Sequence, residues 1–225
     1  RKFKTSKCIL DCIELNKENI QFIKNKYREV ISLSPVFSDY SIINTLFTRF
    51  QEHEYPSNIK TYGGLEFTIL NDHCRKIDDS EYGRSLNKEI LPIAISLGGS
   101  DENNNTLRIL KRLSRSHLKL FIWVFIGEGY GHSCNNLFEA IESNDNQEIG
   151  VIRTNTNLWG IMSHCTVAIL SGGITLYESI YAGMPSINVF SKEIHHSILP
   201  QSSIEQNCYK NLGLISEKSM DALIE

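Results

Sequence analysis

The chain has 225 residues, enough for one large domain or two small ones, and it needs no disulfide or metal to bury a core. Hydrophobic residues make up 41% and charged residues 22%, and a formal net charge of -3 argues against a dedicated nucleic-acid surface or a polybasic membrane surface. The apolar runs fall short of the roughly 18 residues a membrane span requires. The start Arg1-Lys2-Phe3-Lys4 runs straight into polar sequence with no signal-peptide pattern, so a cytoplasmic monomer or weak dimer is expected. The six cysteines (8, 12, 74, 134, 165 and 208) are scattered, several inside apolar runs, as buried thiols of a reducing compartment are. Cys8 and Cys12 lack a second Cys or His pair at zinc-ligand spacing, so no metal site is expected.

Lys7–Asp11 reads as a strand that delivers Asp11 to a loop, and Asn16 is placed to cap a helix carrying Ile20, Ile23 and Tyr27 on one face. Glu29–Leu33 reads as a second strand, closed by Pro35. Ile42–Phe50 shows no single period, and Tyr62–Phe67 reads as a turn entering an extended stretch. The polar run Asp78–Ser85 reads as a linker, which places a domain boundary there: residues 1–84 form the first domain and 85–225 the second.

The signals sharpen from Leu91. Leu91–Leu97 is a buried-type strand followed by Gly98-Gly99-Ser100-Asp101, and a helix carries Leu107, Leu110 and Leu113. Leu118–Ile126 is a strand, Leu137–Ile141 a helix, Gly150–Arg153 a strand and Leu158–Ser163 a brief helix. Thr166–Leu170 is a strand ending in Ser171-Gly172-Gly173, Thr175–Ala182 a helix, and Pro185–Phe190 reads as the final strand. Strand–helix units with glycines at the strand ends describe an α/β, Rossmann-like layer.

Those two Gly-Gly turns carry the candidate chemistry. Glycine lets a ligand approach the backbone, and the first N–H groups of the following helix are unpaired donors suited to phosphate. Ser100 and Thr175 add hydroxyls. Glu178, near the start of the last of these helices, is either a carboxylate able to accept both hydroxyls of a ribose or a first-turn acid favoured by the helix dipole. Gly127-Glu128-Gly129-Tyr130-Gly131 lacks the third glycine of a dinucleotide fingerprint. His195-His196 are either sugar or phosphate ligands or a solvated loop pair. Asp11 is either a strand-end acid or a turn cap.

Leu97-Gly98-Gly99-Ser100-Asp101 with Thr106-Leu107 resembles the loop that opens the C-terminal domain of the nucleotide-sugar hydrolases of pseudaminic acid synthesis. The stretch from Leu158 to Val189 is similar to that family's second signature and to the spore-coat polysaccharide proteins regarded as predicted glycosyltransferases. It contains Ser171-Gly172-Gly173-Ile174-Thr175-Leu176-Tyr177-Glu178-Ser179 and Ala182-Gly183-Met184-Pro185. Glu205-Gln206-Asn207 resembles a glutamine-bearing segment of the glycosyltransferase MurG. Ile9-Leu10-Asp11 and Gly64–Leu70 match the N-terminal domain more loosely, with Phe67 in place of a tyrosine and Asn71 where an arginine is common.

The resemblance implies a glycosyltransferase-B-like (GT-B-like) fold of two Rossmann-like layers across a cleft, the first incomplete in this chain. The family's Gly-x-Gly-His loop, with its catalytic histidine, is expected upstream of residue 1; otherwise the general base is Asp11. The resemblance further implies that the second layer holds UDP. Gly98, Gly99, Ser171, Gly172, Gly173 and Thr175 would take the diphosphate, Glu178 the ribose and the backbone near Asn157-Leu158 the uracil edge. Gln206 with Ser100 or Asp101 would reach the sugar. The expected activity is metal-independent, cofactor-free hydrolysis of a UDP-linked amino or deoxy sugar. Glycosyl transfer and a catalytically inactive sugar-nucleotide-binding module are the alternatives.

Overall fold

The computed structural model describes residues 5–12, 14–36, 39–49, 54–144, 146–153, 157–192 and 208–224. The chain divides into two compact units, one running to Ile69 and the other taking up the chain from Leu70.

The first unit is a parallel four-stranded sheet in the order β1 (Thr5–Leu10), β2 (Tyr27–Ser32), β3 (Thr45–Thr48), β4 (Lys60–Gly63), with α1 (Lys17–Lys26) between the first two strands. Asn16 caps α1 by accepting a hydrogen bond from the Asn19 N–H at 2.8 Å. Ile23, Val30, Val36, Ile42, Ile43, Leu46 and Ile59 form its core. The stretch Ile42–Phe50, which has no clear period, holds β3, whose buried Leu46 and Thr48 alternate with half-buried Thr45 and Phe47. Tyr62 belongs to β4, and Leu65–Phe67 is a 3-10 turn, not an extended stretch.

The second unit is a parallel six-stranded sheet in the order β10-β9-β8-β5-β6-β7. Its strands are β5 (Leu91–Ser96), β6 (Leu120–Ile126), β7 (Glu148–Arg153), β8 (Val167–Leu170), β9 (Ser186–Phe190) and β10 (Tyr209–Leu214). Its helices are α2 (Asp79–Leu86), α3 (Asn105–Leu113), α4 (Cys134–Glu142), α5 (Trp159–Met162), α6 (Ile174–Ala182) and α7 (Glu217–Asp221).

Alternation along β5 builds two cores on opposite faces of the sheet. Ile93 and Ile95 pack with Ile109, Leu110 and Leu113 of α3 and Leu137 and Ala140 of α4. Ala94 packs with Trp159 and Met162 of α5 and Leu176 and Ala182 of α6. The sheet is covered on both sides, which explains the unbroken apolar runs of β5 and β6.

Two elements depart from the sequence reading. The polar run Asp78–Ser85 is not a linker but part of α2, capped by Asp78, whose carboxylate accepts from the Glu81 N–H at 2.9 Å. It buries only Ser85 and is anchored by the Tyr82 hydroxyl, which donates to the Thr166 carbonyl at 3.1 Å, so it carries no apolar stripe to read. Pro185–Phe190 is not the last strand either, because β10 adds to the sheet edge beside β9. Its register shifts between Asn211 and Leu214, where Gly213 takes a φ of 76°. Polar and half-exposed residues give that strand little hydrophobic signal.

Candidate functional site

The strand order creates the site. From β5 the chain moves outward through α3 to β6 and β7, then returns to place β8 on the other side of β5. The connections leaving β5 and β8 run to opposite faces of the sheet, and a crevice opens between them at the strand C-termini. Register sets the three strand ends level: Ser96 of β5 pairs with Phe125 of β6 and Leu170 of β8. A cavity of about 440 Å³ lies there, entirely within the second unit. Gly98 and Gly99 line it after β5, Gly127 to Gly129 after β6, and Ser171, Gly173, Ile174 and Thr175 after β8.

Gly98 adopts a φ of 91°, which disfavours any side chain, and a Cβ there would meet Ser171 Oγ at 3.6 Å. The helix α6 starts at Ile174 with Gly173 as N-cap and no side chain on its first N–H groups. Among the described residues, the N–H groups of Ile174 and Thr175 have no partner, so they are open donors on residues that line the cavity. The helix α3 differs. Asp101 turns its carboxylate onto that helix end, accepting from Asn105 N–H at 2.9 Å and Thr106 N–H at 2.8 Å. Its first donors are therefore already satisfied, and of the two Gly-Gly turns only the second leads into an open helix end.

Glu178 sits on the buried side of α6 with Leu176, Tyr177 and Ser179, where a carboxylate must be hydrogen-bonded. It is 4% exposed and lines the cavity. One oxygen accepts from the Asn71 backbone N–H at 2.8 Å and the other from the Trp159 indole at 3.0 Å. A carboxylate has further lone pairs, so accepting ligand hydroxyls stays chemically open to it. The segment that delivers Asn71 runs along α6: the Cys74 thiol donates to the Glu178 carbonyl at 3.5 Å and the Ile77 N–H to the Ala182 carbonyl at 2.9 Å. Burial, with the charge of Glu178 behind it, pushes the Cys74 thiol up to about 12.

Of the residues singled out from sequence, Gly98, Gly99, Leu158, Ser171, Gly173, Thr175 and Glu178 meet at this cavity. Gly172, Ser100 and Asp101 lie outside its lining, and Asp101 is a helix-capping acid rather than a group turned to a sugar. Asn157 is exposed, and its side chain accepts from the Gly160 N–H at 2.9 Å, capping α5. Asp11 belongs to the first unit, exposed just beyond β1, and accepts from the Ser34 hydroxyl at 3.3 Å. Gln206, His195 and His196 lie outside the described residues.

Sequence reasoning missed Asn71, Ser96, Phe125, Ile126, Gly127, Glu128, Gly129 and Ile174. The glycine signal of the Gly127–Gly131 run was present but serves another purpose. A Cβ on Gly127 would lie 2.5 Å from the Gly99 Cα, so these glycines let two loops pack backbone to backbone.

No family model matches the chain. It is 28% identical over 165 residues to an uncharacterized protein of Methanocaldococcus jannaschii, covering 72% of this chain and 32% of that protein. It is 25% identical over 180 residues to the spore coat polysaccharide biosynthesis protein SpsG of Bacillus subtilis, covering 79% of this chain and 51% of SpsG. The chain thus spans a third to a half of the length of these relatives. Among solved structures it is similar to Acinetobacter baumannii MurG, with a TM-score of 0.56 at 14% identity over 96% of this chain and 56% of MurG. The fold is GT-B-like. Two parallel-sheet α/β units, each Rossmann-like, agree with that likeness. Among the described residues no helix is long and apolar enough to cross a membrane.

Proposed function

We propose that the second unit is the nucleotide-sugar site of an enzyme that cleaves the C1–O–P bond of a UDP-linked amino or deoxy sugar in surface polysaccharide or nonulosonic acid synthesis. The observation that carries this reading is the cavity at the β5/β8 divergence, where the open N–H groups of Ile174 and Thr175 and the carboxylate of Glu178 line one space. In this reading the α6 N-terminus and the Gly98-Gly99 backbone hold the diphosphate, whose charge the helix end offsets. Glu178, one turn further along, accepts the ribose hydroxyls, and Leu158 lies beside the uracil. No metal or organic cofactor enters the reading. The similarity to a polysaccharide biosynthesis protein supports the pathway class.

When the C1–O bond breaks, its electron pair leaves with UDP and the acceptor oxygen bonds to C1, its proton passing to a general base. Water as acceptor makes the enzyme a hydrolase, and a sugar hydroxyl makes it a glycosyltransferase. The similarity to SpsG supports transfer no less than hydrolysis. Incubation with UDP-sugars in ¹⁸O-water tests both. Hydrolysis releases UDP and puts the label in the free sugar, whereas transfer releases UDP only when an acceptor sugar is added. Label in UDP would contradict C1–O cleavage, and no UDP release under any condition would contradict the enzymatic reading.

A further inference from the structure

The cavity carries a charge imbalance that a nucleoside diphosphate alone makes worse. Its lining contains two carboxylates, Glu128 and Glu178, and no lysine, arginine or histidine. Glu178 is buried, with a protein donor on each oxygen. Glu128 is exposed, and among the described residues its carboxylate has no ion pair and no hydrogen bond.

The place of Glu128 is fixed by its neighbours. A Cβ on Gly127 would stand 2.5 Å from the Gly99 carbonyl oxygen, and one on Gly129 would stand 3.1 Å from the same atom. The turn therefore rests on the Gly98-Gly99 loop. Arg153 holds it from another side, donating to the carbonyls of Gly127 and Glu128 at 3.4 Å each and to the Cys134 sulfur at 3.7 Å. This guanidinium serves the backbone of the turn and forms no ion pair with the Glu128 carboxylate.

We propose that Glu128 recognises a cationic amino group on the sugar of the substrate, which makes the substrate class a nucleotide-linked sugar with a free amine rather than a neutral acetamido sugar. The inference rests on the nucleotide-sugar reading above, in which Gly98-Gly99 holds the diphosphate next to Glu128. A carboxylate beside a diphosphate repels it unless a positive group lies between them. An ammonium on the sugar removes that repulsion and donates charge-assisted hydrogen bonds to the carboxylate. An acetamido N–H donates one bond but brings no charge.

The test is calorimetric titration of the chain with UDP, UDP-glucosamine and UDP-N-acetylglucosamine, in EDTA and again with magnesium, for the wild type and Glu128→Gln. The wild type is expected to bind the amino sugar at least tenfold more tightly than the acetamido sugar. Glu128→Gln is expected to erase that preference and to bind UDP itself more tightly, since the like charge is gone. Equal affinity for the two sugars, or a preference that survives in Glu128→Gln, overturns the proposal and leaves the nucleotide reading standing. Failure of UDP to bind with or without magnesium overturns the nucleotide reading and this inference with it. Binding that requires magnesium and depends on Glu128 assigns the carboxylate to a metal ion and also overturns it.

Discussion

The indole N–H of Trp159 donates to the Glu178 carboxylate at 3.0 Å, with both side chains almost fully buried, so the acid at the cavity wall also ties α5 to α6. Glu178 thus has a structural role beside the ligand role proposed for it, and substitution has to separate them. Trp159→Phe keeps one aromatic ring and removes the pyrrole ring with its donor, so a small cavity adds to the lost bond. It is expected to cost about 1–3 kcal/mol, the range for leaving a buried acceptor without its partner, as read by urea denaturation followed by circular dichroism. A cost near zero would mean that the bond does not anchor the helices.

The loop contacts predict opposite behaviour for two glycines. Gly127→Ala puts a methyl group 2.5 Å from Gly99 backbone atoms, so the Gly98-Gly99 loop must move. Stability is expected to fall by about 1–3 kcal/mol, the usual cost of overpacking. A Cβ on Gly173 meets nothing within 4 Å, so Gly173→Ala is expected to change stability by about 1 kcal/mol or less. Its methyl stands at the mouth of the open helix end and is expected to weaken UDP binding. Thermal melts with and without UDP give both readings.

Asp101 is expected to act on folding and not on the ligand. Its carboxylate holds two N–H groups of α3 from a backbone φ of 40°, and Asp101→Ala is expected to lose about 1–2 kcal/mol through the lost cap. Nucleotide affinity should change by less than about threefold, well under the ~1.4 kcal/mol of a tenfold effect. A large affinity loss in a stably folded variant would restore Asp101 to the ligand site.

Alkaline pH should loosen the second unit. Burial pushes the Cys165 and Cys74 thiols up to about 12, and burial with the nearby acid Asp101 does the same for the Tyr130 phenol. The folded values lie above the ordinary ones of about 8.5 for Cys and 10 for Tyr, so the folded state holds these protons more tightly. Their contribution is complete below about pH 8.5 and is lost as the pH rises towards 12. The melting temperature is expected to fall steadily above about pH 9, and the fall should flatten in Cys165→Ser and Tyr130→Phe. A flat profile would contradict the burial of these groups.

What was legible in the sequence follows burial. Strands β5, β6 and β8 are covered on both faces and announce themselves as apolar runs. The glycines after β5 and β8 mark the strand ends where the cavity lies. α2 and β10 rest on caps and an edge pairing, which leave no periodic signature. The Asn71 contact with Glu178 joins residues 107 apart in sequence through a backbone N–H, which no side-chain motif encodes. Asp101 was legible as an acid beside a Gly-Gly turn, but its direction depends on a left-handed backbone that composition does not reveal.

Titration of the chain with UDP, against ADP as control and with Glu178→Gln as the variant, tests the central claim most directly. The account predicts micromolar binding of UDP, none of ADP, and at least a tenfold loss (about 1.4 kcal/mol) in the variant while circular dichroism shows it folded. A folded wild-type chain that binds neither nucleotide, or binds both alike, would contradict the assignment of this cavity to a UDP-linked sugar.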